Sequence, residues 1–319
     1  MIKASLRPLR SQLSATAFTA LAAFSLLGTA GCGAAAVHEA APRGATAAAT
    51  TGASTDATSK TAKTATPPKT TPLHPGTTVR DDLRAVFDAA GVRGTFALLD
   101  VSTRRTTVVD RSRAATPMVS ASSFKVPHSL VALETGAVKS PDEVIPWDGT
   151  PQPFPEWEQD MSMREAVRTS NAAAFQVIAR RIGLKREQQW LHRLNYGNRQ
   201  TGTAVDRFWL DGPLKISAVE QTRFMARLAA QRLPASRAHQ RTVRELIKQE
   251  EKDGYALFAK SGWQNAPGPG TGWWTGWVER GGRVHTFALN IDIVQDGDAG
   301  KRATIARELL HRLNVLPSA

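Results

Sequence analysis

The stretch YALFAKSGWQNAPGPGTGWWTGWVERGGRVHTFALNIDI (255–293) decides the fold. It divides into three strand-like runs, 255–262, 272–278 and 284–293, separated by Gly-rich turns that include Arg280-Gly281-Gly282. Consecutive runs joined by short turns pair antiparallel. Working outward, the runs 95–101 and 106–109 flank Ser102-Thr103-Arg104-Arg105 and read as a hairpin. Before them, Leu83, Val86, Phe87 and Ala90 have helical spacing that stops at Gly91. Residues 123–251 read as mainly helical, with Glu250, Glu251 and Asp253 as a solvated helix end, and 303–313 as a closing amphipathic helix. Strands at both ends of a helical stretch predict an α+β fold. Its antiparallel sheet is formed by N- and C-terminal strands, with helices on both sides and an inserted helical region.

The 319 residues contain 41% hydrophobic and 22% charged side chains, which excludes a wholly disordered, collagen-like or multi-span membrane chain. A single cysteine excludes an internal disulfide framework and any Cys-cluster metal site. The seven histidines show no paired-ligand spacing, so no metal is expected. The net charge of +13 raises an anionic partner. Yet the first 80 residues hold eight Lys and Arg against Glu39 and Asp56, a net +6, leaving +7 for the other 239. The Arg-rich segments 164–186 and 237–244 have helical spacing with Glu165, Glu187 and Glu245 in or beside them. They read as solvated faces, and no nucleic-acid partner is expected.

That first quarter reads as export and tether. Lys3, Arg7 and Arg10 precede a short apolar segment, 15–30, that ends at Gly31-Cys32. Residues 1–32 have the form of a lipoprotein signal peptide with Cys32 as the lipidation site, although Thr29 stands where such signals usually carry Leu. Cleavage among the alanines and a buried apolar helix are the other readings. Residues 33–79, rich in Ala, Thr and Pro, carry few large apolar side chains and read as a disordered linker. The expected product is an exported protein, periplasmic or membrane-anchored, with a catalytic domain over 80–319.

Three short motifs carry chemistry. Ser122-Ser123-Phe124-Lys125 is an S-x-x-K that places an amine and a hydroxyl on one helical face. A serine needs an adjacent base, and lysine becomes one when apolar neighbours such as Phe124, Val126 and Leu130 lower its pKa. Pro127 predicts a distorted first turn. Ser170-Asn171 lies on a helical stretch, and Lys260-Ser261-Gly262 lies on a strand-like run, where Gly admits a close ligand and Lys and Ser offer donors to an anion. S-x-x-K, a middle Ser and K-[ST]-G in this order form the signature of penicillin-recognising serine enzymes.

Ser120 to Pro127, Trp147-Asp148-Gly149, Tyr196-Gly197-Asn198, Phe208-Trp209-Leu210, Lys260-Ser261-Gly262-Trp263 and Gly276-Trp277-Val278-Glu279 together resemble class D (oxacillinase-type) serine β-lactamases. The similarity runs over about 95–315 in consistent order. It implies a β-lactamase/transpeptidase-like fold and hydrolysis of β-lactams, with Ser122 as the acylated nucleophile. It also implies that Lys125 takes up CO2, or bicarbonate as its source, to become an N-carboxylated general base, with no other cofactor. By the same resemblance Trp209 donates to that carbamate, Leu210 walls the deacylating water, and Ser170 passes a proton to the lactam nitrogen. Lys260 holds Ser170, and Ser261 and Arg302 bind the substrate carboxylate. Gly262 and Trp263 line the substrate strand, the Trp263 and Ser122 N–H groups forming the oxyanion hole. Two positions depart from the family pattern. Ala172 replaces Val in the middle motif, which would let water into the Lys125 pocket. His128 replaces Asn, with a surface or helix-packing role expected.

Three other functions fit the motifs less well. A sensor domain that acylates without hydrolysis normally follows a metalloprotease module, of which the sequence shows no sign. A D,D-peptidase shares the three motifs but not the Phe-Trp-Leu and Lys-Ser-Gly-Trp contexts. A merely wall-binding lipoprotein would not need Ser122, Lys125, Ser170 and Lys260 intact.

Overall fold

A computed structural model gives the arrangement of residues 70–264 and 269–317. The expected signal segment, Cys32 and the linker up to residue 69 lie outside the described residues. Seven strands build the main sheet: β1 (Thr78–Val79), β2 (Gly94–Asp100), β3 (Thr106–Val109), β4 (Lys248–Lys252), β5 (Tyr255–Gln264), β6 (Gly270–Arg280) and β7 (Arg283–Ile293). Their order is β1-β3-β2-β7-β6-β5-β4. All neighbours are antiparallel except β1 and β3. β7 lies against β2, with Phe287 opposite Leu98, so the two ends of the chain share one sheet.

Strand alternation gives the sheet two apolar faces. Phe96, Leu98, Trp274, Phe287 and Leu289 form one core with Phe87 of α1 (Arg84–Ala89) and Leu309 and Leu310 of α9 (Asp298–Arg312). On the other face the small residues Ala97 and Ala288 meet Ala218 and Val219 of α7 (Ala218–Ala229) beside α2 (Arg111–Ala115). Phe258 and Trp277, on this second face, join the helical region of α3 (Lys125–Glu134), α4 (Met163–Arg168), α5 (Ala172–Ile182), α6 (Leu184–Leu194) and α8 (Arg237–Leu246). The α+β architecture with helices on both sides is therefore as the sequence predicts. Every residue of α3 except Glu134 is buried, so α3 is the axis of the helical region rather than an amphipathic cover.

Three boundaries differ from expectation. The folded body begins before residue 80. The Thr71 N–H donates to the Ala115 carbonyl, its hydroxyl lies 2.8 Å from that of Ser217, and β1 pairs with β3. The expected helix end at Glu250 and Glu251 is instead the edge strand β4, turned into β5 by Asp253-Gly254, both at positive φ. Asp-Gly is the two-residue turn that matches strand twist, and charged side chains suit an unpaired edge. Glu250 is not merely solvated, since it accepts from Tyr255 Oη at 2.7 Å and from Arg307 at 2.6 Å. Finally, α9 starts at Asp298, which accepts the Val294 and Gln295 N–H groups, so Arg302 sits on the second turn and not at the helix opening.

A chain beginning at residue 80 should therefore be less stable than one beginning at residue 70, by about 2 kcal/mol or more through loss of buried contacts and strand pairing. Urea denaturation of the two chains checks this, and equal midpoints would return residues 70–79 to the linker.

Candidate active site

The nucleophile segment is a tight turn pinned on three sides. Ala121 has φ 47° and opens a 3-10 turn, Ala121–Phe124, that leads into α3. This is the distorted start that Pro127 predicts, and Pro127 falls in the first turn of α3, where its missing N–H costs little. The Ser123 hydroxyl donates to the Ser120 carbonyl at 2.6 Å and accepts from Gln221 of α7 at 2.8 Å. The Trp273 indole on β6 donates to the Val119 carbonyl at 2.8 Å. Gly262 of β5 lies so close that a Cβ there would stand 3.0 Å from the Ser123 nitrogen and 3.2 Å from the Ser120 oxygen. Glycine in the third motif thus seats the first motif against the sheet, besides leaving room for a ligand.

Lys125 Nζ is 2.9 Å from Ser122 Oγ and 5.2 Å from the centre of the Phe175 ring, in a fully buried site. Burial pushes the Lys125 amine well below its usual range, and the nearby Lys260 charge adds to the effect. A neutral amine beside the hydroxyl is the state that can act as a base or add CO2.

Ser170 follows α4 with φ 60°, held by the Trp157 indole donating to the Thr169 carbonyl at 3.2 Å. Asn171 caps α5 through the Ala174 N–H at 3.0 Å. Lys260 crosses from β5 to place Nζ 2.9 Å from Ser170 Oγ, 3.1 Å from the Ser261 carbonyl and 3.4 Å from Ser261 Oγ. Burial, assisted by the charge of Arg302, lowers the Lys260 amine to about 7. Arg302 of α9 donates to the Gly262 and Ala299 carbonyls, and burial brings it only to about 10, so it stays cationic at neutral pH.

Ser122, Ser170, Ser261, Trp263 and Arg302 line one cavity of about 310 Å³. Larger cavities of about 700 Å³ near Arg244 and Tyr255 and about 490 Å³ near Arg84 and Arg113 hold none of these groups. Chemistry, not volume, marks the site. Trp209 is fully buried, packs on Phe124 at 5.9 Å and on His128 at 5.0 Å, and its indole N–H has no partner among the described residues. Leu210, partly buried, packs on the same helical core. Among the described residues, no group of three or more His, Cys, Asp or Glu is placed to hold a metal.

The position of His128 corrects the surface part of its expected role. His128 is fully buried between Phe124, Phe175 and Trp209, with Nε2 2.7 Å from Glu187 Oε1 but without hydrogen-bond alignment. Glu187, read as part of a solvated face, is fully buried with it. Sequence reading also missed Phe154, Glu156 and Trp157 as cavity walls. Their one signal is an aromatic pair flanking Pro155-Glu156 in a stretch of no clear periodicity.

A serine hydroxyl beside a buried lysine of lowered pKa, a second serine tied to a second lysine, and an arginine lining the same cavity have the make-up of a serine acyl-transfer site for an anionic substrate. Residues 94–311 match the penicillin binding protein transpeptidase domain family. β-Lactamase OXA-5 of Pseudomonas aeruginosa is 39% identical over 227 residues, covering 70% of this chain and 85% of that protein. The solved class D β-lactamase YbXI from Nostoc has 36% identity and a TM-score of 0.71, covering 73% of this chain and 99% of its own. FUS-1 (OXA-85) from Fusobacterium nucleatum subsp. polymorphum, also class D, has 35% identity and a TM-score of 0.72, covering 74% and 99%. The chain belongs to the class D β-lactamases.

The Lys125 site makes a prediction about stability. The unfolded lysine holds its proton up to about pH 10.5, whereas the folded one loses it at lower pH. Lys125 therefore opposes folding at neutral pH, and the effect fades as pH approaches 10.5. In CO2-depleted buffer Lys125→Met should raise stability by about 1 kcal/mol at pH 7 and by less at pH 10. Thermal unfolding at the two values decides it, and a gain independent of pH would count against the buried neutral amine.

Proposed function

We propose that the protein hydrolyses β-lactams through an acyl-enzyme on Ser122. The observation that carries this is the 2.9 Å approach of Ser122 Oγ to a buried Lys125 amine of lowered pKa, in a cavity shared with Ser170, Ser261 and Arg302. Arg302 and Ser261 hold the substrate carboxylate. Ser122 Oγ attacks the lactam carbonyl, losing its proton as the new C–O bond forms. The Ser122 and Trp263 N–H groups face the developing oxyanion, each such donor contributing about 3 kcal/mol. As the C–N bond breaks, Ser170 gives the departing nitrogen a proton, and the Lys260 amine keeps Ser170 in place. Leu210 borders the approach of the water that ends the cycle.

Lys125 fits an N-carboxylated form. Its site is apolar, its amine has a strongly lowered pKa, and the Trp209 indole N–H, without a partner among the described residues, is a donor for an anion. Carboxylation supplies a carbamate as general base for both acylation and deacylation. Ala172 opens α5 one turn before Phe175, whose ring faces Lys125, which supports its proposed effect on water entry. Export by residues 1–32 with lipidation at Cys32 is part of the same proposal. A labelled fatty acid incorporated by the full chain and lost in Cys32→Ala is its test.

Purified protein incubated with benzylpenicillin should turn over many equivalents, faster with added bicarbonate. Trp209→Ala should still form the acyl adduct by intact mass but turn over about 100-fold more slowly. A stable one-to-one adduct on the unaltered protein would sink the hydrolase reading in favour of a sensor or peptidase. Ala172→Val should reach full rate at a lower bicarbonate concentration, and an unchanged requirement would clear Ala172 of that effect.

A further inference from the structure

The segment between β-lactam site and surface, residues 147–160, contains four acidic residues. Three hold the segment together. Asp148 accepts the Thr150 N–H at 3.0 Å, Glu158 accepts the Gln152 N–H at 2.8 Å, and Asp160 accepts the Trp147 N–H at 2.8 Å. Glu156 does not. Among the described residues its carboxylate makes no hydrogen bond or ion pair, yet it lines the same cavity as Ser122 and Arg302. It sits in the 3-10 turn Pro155–Trp157, which is fixed rather than free. The Trp157 indole is bonded to the Thr169 carbonyl, and Asn171 donates to the Trp157 carbonyl at 3.4 Å. On either side of Glu156 the rings of Phe154 and Trp157 meet edge to face, 4.8 Å apart.

The cavity therefore has two chemically different walls. β5 and α9 supply Ser261 and Arg302, which suit the carboxylate of the bicyclic core. The 154–157 turn supplies an aromatic pair and a carboxylate, which face the other end of the substrate, its acylamino side chain. Resting on the proposed hydrolase reading, we propose that Glu156 is a specificity residue that favours β-lactams whose aromatic side chain carries an ammonium group and disfavours those that carry a carboxylate there. Among the described residues Arg302 is the one cation lining this cavity, and it donates to the Gly262 carbonyl at the core end, while Lys260 is bonded to Ser170. Glu156 is exposed to solvent, so its attraction is that of a surface charge pair and is screened by salt.

The test compares kcat/KM for ampicillin (α-ammonium), benzylpenicillin (uncharged) and carbenicillin (α-carboxylate) in the unaltered enzyme, Glu156→Gln and Glu156→Lys. The ampicillin-to-carbenicillin ratio should fall about three-fold in Glu156→Gln and about ten-fold in Glu156→Lys, with benzylpenicillin little changed and the differences shrinking at high salt. A ratio unchanged in both variants, with benzylpenicillin still hydrolysed, overturns the proposal alone. No turnover of any of the three by the unaltered enzyme overturns the hydrolase reading and this proposal with it.

Discussion

The interaction on which the molecule depends is a lysine amine whose pKa burial lowers, in contact with a serine hydroxyl, inside an aromatic core. Lys125 is fully buried, and no carboxylate among the described residues pairs with it. A charged ammonium in such a place would cost several kcal/mol, and this cost drives the pKa down. This explains why α3 is buried nearly all round and why Phe124, Phe175, Phe208 and Trp209 converge on it. These residues are packing in the ordinary sense, and they are also the solvent that sets the amine's basicity. The core and the active site are one object seen from two sides.

The second lysine shows how the charges are ordered. Three cationic groups approach one cavity, and if all stayed charged they would repel strongly in a half-dry space. Burial lowers Lys125 well below its usual range, Lys260 to about 7 and Arg302 only to about 10. The guanidinium remains the fixed positive charge for an anionic substrate. Lys260 titrates near neutrality, 2.9 Å from Ser170 Oγ, as the proposed proton transfer there requires. One apolar enclosure thus leaves the three groups with different basicities, set by burial, by neighbouring charge and by the intrinsic basicity of each group.

Much of this was legible in the sequence. Strand-like runs separated by Gly-rich turns in 255–293 pointed to the sheet, and the three motifs pointed to Ser122, Ser170 and Ser261 of the cavity, because turn residues and motif spacing act locally. What stayed hidden was set by distant partners. Nothing next to His128 announces Glu187, 59 positions away: His128 reads as surface or helix packing and Glu187 as part of a solvated face until α3 and α6 are packed. Thr71 and β1 look like linker because their partners, Ser217 and β3, lie elsewhere in the chain. The β4 edge was a different kind of miss. Asp253-Gly254 is a local hairpin signal, outweighed by the charged residues before it, which resemble a helix end and equally suit an exposed edge strand.

The backbone at the two motif serines is strained. Ala121, just before Ser122, and Ser170 itself are non-glycine residues at positive φ, each at a cost of about 1 kcal/mol or more. Relaxed turns would serve the fold as well, but they would aim the hydroxyls elsewhere. The strained turns persist because each is over-determined by bonds from outside its own segment. Gln221, Trp273 and the close pass of Gly262 fix the first, and Trp157 and Lys260 fix the second. Those restraints come from the sheet, α7 and the 154–157 turn, so the helical region alone could not hold the two serines in register. The site exists only where the inserted helices are pressed against the sheet, and this is why the chain places its helical insertion between the strands that close that sheet.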